Sequence, residues 1–293
     1  MIFILILLSS CASSNKVKNN FSNIADIKNT DFKPVKQVKY TKKLDRYSKM
    51  NFAESSATNK ESLQRIIRFD GNFKVSDTLT ELAELCYLKK FDDAFLKIRN
   101  TSRIYVKNPI FWNQVGNCYL LKGDKRKALL FYNKALSLEK DYSPALNNLG
   151  VMYYGDEDYS RALVAFQKAI RSGDFKAVPR LNLANLYLSY GLYEDAIKLT
   201  AGLASKNATD LDILNILGSA YLMKGDFKTS LKYFSQINTD FLESATYGIN
   251  YSLALFKSGR KSAGVDAMES IDKKNLGAWK SYYFEVKTYM GVK

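Results

Sequence analysis

The chain has few side chains that could do covalent chemistry. Its 293 residues include three cysteines and no histidine. Without imidazole, Ser-His-Asp and Cys-His catalytic pairs and histidine-based metal sites are excluded. Cys11, Cys86 and Cys118 form no Cys-x-x-Cys pair, and the glycines are spread rather than clustered as a phosphate-binding loop requires. No cofactor or metal is expected, and the chain reads as a non-enzyme. The side chains suited to recognition are amides. Asn113, Asn117, Asn147, Asn148, Asn182, Asn185, Asn215 and Asn250 recur along the chain, with Leu120, Tyr154, Leu188 and Leu222 among them. An amide offers two donors and an acceptor, which suits the backbone of an extended peptide. The apolar neighbours would supply pockets for its side chains.

Those residues are positioned by a pattern that repeats every 34 residues. Val115-Gly116-Asn117-Cys118-Tyr119 is followed at that interval by Leu149-Gly150-Val151-Met152-Tyr153, Leu183-Ala184-Asn185-Leu186-Tyr187 and Leu217-Gly218-Ser219-Ala220-Tyr221. A small-residue column reads Ala128, Ala162, Ala196 and Ser230, and a bulky one Tyr132, Phe166, Thr200 and Phe234. Within each unit, apolar and small residues at helical spacing mark one face of two helices. Gly123, Gly191 and Gly225 fall at the turn between them. One such pair cannot bury its apolar faces alone, so neighbours must stack into a solenoid. Ile110, Asn113 and Asn117 lie away from the core stripe of Trp112, Val115, Gly116 and Tyr119. They and their equivalents at 34-residue intervals would line the inner face.

The repeat resembles the tetratricopeptide family through Trp112, Gly116, Tyr119, Ala128, Tyr132 and Ala135, and again through Leu146, Gly150, Tyr153, Ala162, Phe166 and Ala169. The resemblance implies an all-α, right-handed superhelical solenoid of antiparallel helix pairs that binds a protein or peptide partner in its concave groove. Repeats are expected at 109–142, 143–176, 177–210, 211–244 and 245–275. A degenerate leading repeat covers 76–108, its turn one residue short, and a capping helix covers 276–290. Members that grip a C-terminal carboxylate use two Asn with several basic residues. Asn117 and Asn148 match the Asn pair, but Asn113, Val178 and Asn182 stand where the basic residues belong. A carboxylate clamp is therefore not expected. Changing Asn147 and Asn182 to Asp should weaken partner capture and leave folding intact. The tyrosine column at 119, 153, 187 and 221 reads as packing, and Cys86 and Cys118 as buried free thiols.

The N-terminal quarter differs in kind. Met1 to Ser10 carries the apolar run Ile2–Leu8, too short to span a bilayer. Leu8-Ser9-Ser10-Cys11 resembles the bacterial lipobox, which implies removal of residues 1–10 and lipidation of Cys11. Residues 12–75 hold 14 Lys/Arg against 6 Asp/Glu, about +8 of the chain's net +15. Residues 12–60 show no sustained apolar period, and segment 11–75 reads as a basic, largely disordered tether. The alternative is a basic arm on anionic lipid or cell-wall polymer. No nucleic-acid motif accompanies the charge, so nucleic acid is not an expected partner. A short helix over Glu61–Phe69 is plausible from Leu63, Ile66, Ile67 and Phe69. Together these features imply a lipid-anchored adaptor at the periplasmic face of a bacterial outer membrane, which by its architecture resembles the lipoproteins of this repeat class that assist assembly of a pilus, secretion or other envelope complex. The alternatives are an adaptor for cell-wall enzymes, or a cytoplasmic scaffold without lipidation.

Overall fold

A computed structural model describes residues 78–172, 177–205 and 208–292. The targeting segment, Cys11, the basic stretch and the Glu61–Phe69 helix lie outside the described residues. The chain divides into two units, and every described residue belongs to the one spanning 37–293. That unit is an all-α solenoid; no strand occurs among the described residues. Helices α1 (Thr78–Tyr87) and α2 (Phe91–Thr101) form the first pair, α3 (Pro109–Leu121) and α4 (Lys125–Leu138) the second, and α5 (Ser143–Gly155) and α6 (Tyr159–Ser172) the third. Then follow α7 (Ala177–Ser189) with α8 (Tyr193–Ala204), and α9 (Leu211–Met223) with α10 (Phe227–Phe234). A one-turn helix, α11 (Thr239–Leu242), precedes α12 (Ala245–Lys257) and α13 (Lys261–Glu269). Two 3-10 turns at 273–275 and 277–279 lead into the last helix, α14 (Lys280–Tyr289).

The helix ends follow from local chemistry. Asn108 caps α3, its side chain accepting from the backbone N–H groups of Ile110 and Phe111, and Pro109 occupies the first turn, where its missing N–H costs nothing. Asp124, Asp210 and Asp226 cap α4, α9 and α10 in the same way. The turn within each pair passes through a left-handed residue. Gly123, Gly191, Gly225 and Gly259 have φ of 93°, 74°, 84° and 91°, and at the same phase stand Lys89 (59°) and Glu157 (60°). Glycine takes this conformation freely, whereas a Cβ makes it costly. Lys89 lies in strict register with Gly123, so the leading turn is not one residue short, as its sequence suggests. Lys89 hides the register because it fills the glycine position.

Pairs close on the small and bulky columns. Tyr132, Phe166 and Phe234 are fully buried against Gly116, Gly150 and Gly218. A Cβ built on Gly150 would meet Phe166 Cε1 at 2.5 Å, and one on Gly218 would meet Phe234 Cζ at 2.8 Å. In the fourth pair Ala184 replaces glycine and Thr200 replaces the ring; Thr200 satisfies its hydroxyl by donating to the Ala196 carbonyl at 2.6 Å. In α12 and α13 the small column holds Gly264 and the bulky one Met268, which is fully buried. Gly264 sits so close that an added Cβ would lie 2.8 Å from the Ser252 carbonyl oxygen. The tyrosine column is half-buried between helices. Tyr119 stacks on Phe131 (5.3 Å) and Tyr221 on Tyr233 (5.7 Å). Lys127 lies 5.2 Å from the Tyr119 ring and Arg161 4.6 Å from the Tyr153 ring, within cation–π range. Tyr283, Val286 and Met290 cover the last repeat by packing on Ile249, Met268 and Ile271.

The free-thiol expectation is corrected. Cys86 of α1 and Cys118 of α3 form a disulfide with a Cα–Cα distance of 4.9 Å. Both residues are buried in one cluster with Leu82, Ala94, Phe111 and Val115. Packing of adjacent first helices brings two small inner side chains within bonding range, so close packing favours the bond instead of replacing it.

Candidate partner-binding groove

The first helices of successive pairs, α3, α5, α7, α9 and α12, stand side by side and turn one face away from their second helices. The predicted amides converge there, but not as a row of free donors. Asn113, Asn117, Asn147, Asn148 and Asn182 are between 0% and 1% exposed. They bond one another across repeat boundaries. Asn148 Nδ2 donates to Asn113 Oδ1 at 2.9 Å and to Asn117 Oδ1 at 2.8 Å. Asn147 Nδ2 donates to Asn148 Oδ1 at 3.1 Å, and Asn182 Nδ2 to Asn147 Oδ1 at 2.8 Å. Asn117 also accepts from the Tyr132 hydroxyl at 2.9 Å and donates to Gln114 Oε1 at 3.1 Å. Burial pushes the Tyr132 phenol well above its usual pKa, so it remains a donor across the physiological range. This ladder clamps α3, α5 and α7 together, a role for which the sequence reading had no signal. The expectation that Asn147 and Asn182 could become Asp with folding intact does not fit this geometry, because two carboxylates would replace a 2.8 Å donor–acceptor pair.

A second, smaller link lies near the C-terminal end. Asn250 Nδ2 donates to Ser219 Oγ at 2.8 Å, and the Tyr282 hydroxyl donates to Asn250 Oδ1 at 2.7 Å, joining α9, α12 and α14. Gln114 and the two phenols were missed because each reads as a neutral filler in its own repeat, whereas Ser219 is an expected inner-face residue, the counterpart of Asn117. Leu222 is corrected from groove to core: it packs with Leu214, Phe234 and Tyr247. Asn215 is 6% exposed, and its Oδ1 accepts no hydrogen bond. Leu120, Tyr154, Asn185, Leu188 and Asn250 are half-buried at the face, with Val151 between them. Tyr154 shares a 3.0 Å hydrogen bond with Ser189 of α7. Asp212, in the first turn of α9, is 5% exposed. Chemically the face offers the half-buried polar side chains of Tyr154, Asn185 and Asn250 with the apolar Leu120, Val151 and Leu188. That set suits an extended polypeptide.

Stacked helix pairs with a polar inner row define a repeat scaffold, and comparison with known proteins gives its class. Residues 109–142 match the model of the tetratricopeptide repeat, and the array is of this repeat family. The chain is 27% identical over 167 residues to the human cell division cycle protein 16 homolog, covering 55% of this chain and 26% of that protein. It thus spans about a quarter of the length of the first curated relatives it matches. Among solved structures it is similar to PilW, described as a widely conserved type IV pilus biogenesis factor. The TM-score is 0.56 at 16% identity, over 73% of this chain and 96% of PilW. The Cut9–Hcn1 hetero-tetramer of the APC/C gives a TM-score of 0.59 at 18% identity, over 76% of this chain and 44% of the matched one. These two likenesses establish the fold. The family's relatives support a protein–protein interaction scaffold.

Proposed function

We propose that this protein is a non-enzymatic scaffold of the bacterial envelope that holds an extended segment of a partner protein along its inner face. It would be lipid-anchored through Cys11 at the periplasmic side of the outer membrane and assist assembly of a pilus, secretion or related complex. The observation that carries the reading is the inner face itself, where Asn185, Asn250, Tyr154 and Leu188 stand half-buried along α5 to α12. Two further features support the envelope setting. The Cys86–Cys118 disulfide is stable in an oxidising compartment such as a periplasm and is rare in a reducing cytosol. The likeness to a pilus biogenesis factor extends over nearly the whole of that protein. The test compares palmitate labelling, membrane fractionation and partner pull-down for the full chain and Cys11→Ala. The expected result is a labelled membrane protein whose co-purifying envelope component disappears in the variant. An unlabelled protein that captures the same partners with or without Cys11 would overturn the anchor and favour a cytoplasmic scaffold.

A further inference from the structure

The second helices keep a register of their own on the side turned away from the first helices. Leu96 of α2, Leu130 of α4 and Val164 of α6 stand 34 residues apart, at one position of the repeat. They are 50%, 48% and 49% exposed. On α4 the buried residues are Ala128, Tyr132 and Ala135, and on α6 Ala162, Ala165, Phe166 and Ala169. At about 100° per residue, Leu130 and Val164 lie roughly opposite those stripes. A single exposed apolar side chain calls for no explanation, but three in strict register do. The position then changes character, with Lys198, Lys232 and Asp266 holding it in the next three pairs.

The charge on these faces has one sign. Neither α4 nor α6 contains a carboxylate. Lys125, Lys127 and Arg161 pair with Asp156, Asp124 and Asp158 of the turns. Lys134, Lys168 and Arg171 are exposed and form no ion pair among the described residues. Lys134 follows Leu130 by four residues and Lys168 follows Val164 by four, so each cation stands one turn from its apolar neighbour on the same face. Asp92 and Asp93 open α2, so the basic surface centres on α4 and α6.

We propose that this face docks the scaffold on an anionic lipid surface, its apolar row among the headgroups and Lys134, Lys168 and Arg171 on their phosphates. Charge complementarity selects an anionic occupant. Each apolar side chain stands on its own helix, which suits a fluid interface better than the continuous groove that a helical partner needs. Each Lys or Arg close to an anionic bilayer strengthens binding by roughly fivefold. With α4 and α6 against lipid, the inner face of the first helices points away from it and stays open to a partner. This inference rests on the envelope setting proposed above and adds how the scaffold is oriented there.

The test uses the full chain carrying Cys11→Ala, so that no lipid anchor contributes, and sedimentation with vesicles containing phosphatidylglycerol or phosphatidylcholine alone. Binding is expected to the anionic vesicles, and to weaken by at least about tenfold when Lys134, Lys168 and Arg171 are all changed to Glu, with helicity unchanged. Changing Lys140, Lys228 and Lys273 to Glu alters the net charge equally and should cost no more than about threefold. With p-benzoylphenylalanine replacing Val164, irradiation on the anionic vesicles should link the chain to lipid; at Leu188 it should not. Equal losses in the two triple variants would overturn the proposal. Links from Val164 to a second copy that rise with protein concentration, or to an acidic protein in cells, would also overturn it. The two readings fail separately. Vesicle binding through this face without palmitate labelling removes the anchor and keeps the docking surface. A labelled chain with equal losses in both variants keeps the anchor and removes the docking surface.

Discussion

At Gly150 a single hydrogen atom decides whether two helices can meet. Phe166 is fully buried against it, and a Cβ there would overlap the ring at 2.5 Å. Gly150→Ala is expected to destabilise the array by about 1–3 kcal/mol, although alanine is the better helix former, because the ring has no space to retreat. Chemical denaturation with a circular-dichroism readout checks this; an unchanged midpoint would count against the packing. The chain itself shows the alternative, since Ala184 brings a Cβ and Thr200 gives up the ring. The buried amides act at the same scale. Changing Asn147 and Asn182 together to Asp removes two donors and places like charges where one hydrogen bond stood, so about 3 kcal/mol or more of stability should be lost. Loss of partner binding with full stability would instead mean that these amides face a ligand. The composition and spacing of the asparagines are plain in the sequence. Their mutual bonding is not, because it joins residues 31 and 35 positions apart whose distances depend on how the repeats stack.

The helix pair is the element that the sequence states most clearly, and its turn shows why. Column residues recur every 34 positions, so even α12 and α13, with weak columns, keep the phase. What the period conceals is substitution within a column. Glu157 holds φ of 60° where four other repeats place glycine. Glu157→Gly should therefore stabilise the α5–α6 turn by about 0.5–1 kcal/mol, the relief from Cβ strain exceeding the entropy glycine adds to the unfolded chain. A raised midpoint in thermal unfolding supports this, and a lowered one contradicts it. The disulfide was likewise hidden, because the two cysteines stand in different columns of the repeat, Cys86 where Leu120 and Tyr154 follow and Cys118 where Met152 and Leu186 follow, and each reads there as an apolar residue. Cys86→Ser is expected to cost about 2–4 kcal/mol, felt mainly in the leading pair. Hydrogen exchange should quicken in α1 and α2 and stay unchanged in α5 to α9, since a solenoid couples chiefly to nearest neighbours. Uniform quickening throughout the array would contradict that locality. The short α11 had no sequence signal, being a single turn capped by Asn238.

On the scale of the whole molecule, the solenoid sets its first helices side by side, and the proposed function assigns their inner face to a partner. Fold class and repeat phase could be read in the sequence because repetition multiplies a weak pattern. The candidate site was half legible: Leu120, Tyr154, Asn185, Leu188 and Asn250 are half-buried at the face, while Asn113, Asn117, Asn147, Asn148 and Asn182 are spent on holding the repeats together. The most direct measurement of the scaffold's central claim is photo-cross-linking in the native cells from two positions, p-benzoylphenylalanine replacing Leu188 on the inner face or Val164, 49% exposed on α6. The account predicts that Leu188 captures a discrete envelope protein, that Val164 does not, and that the capture is lost in Cys11→Ala. Equal capture from both faces, or capture only from Val164, would contradict it.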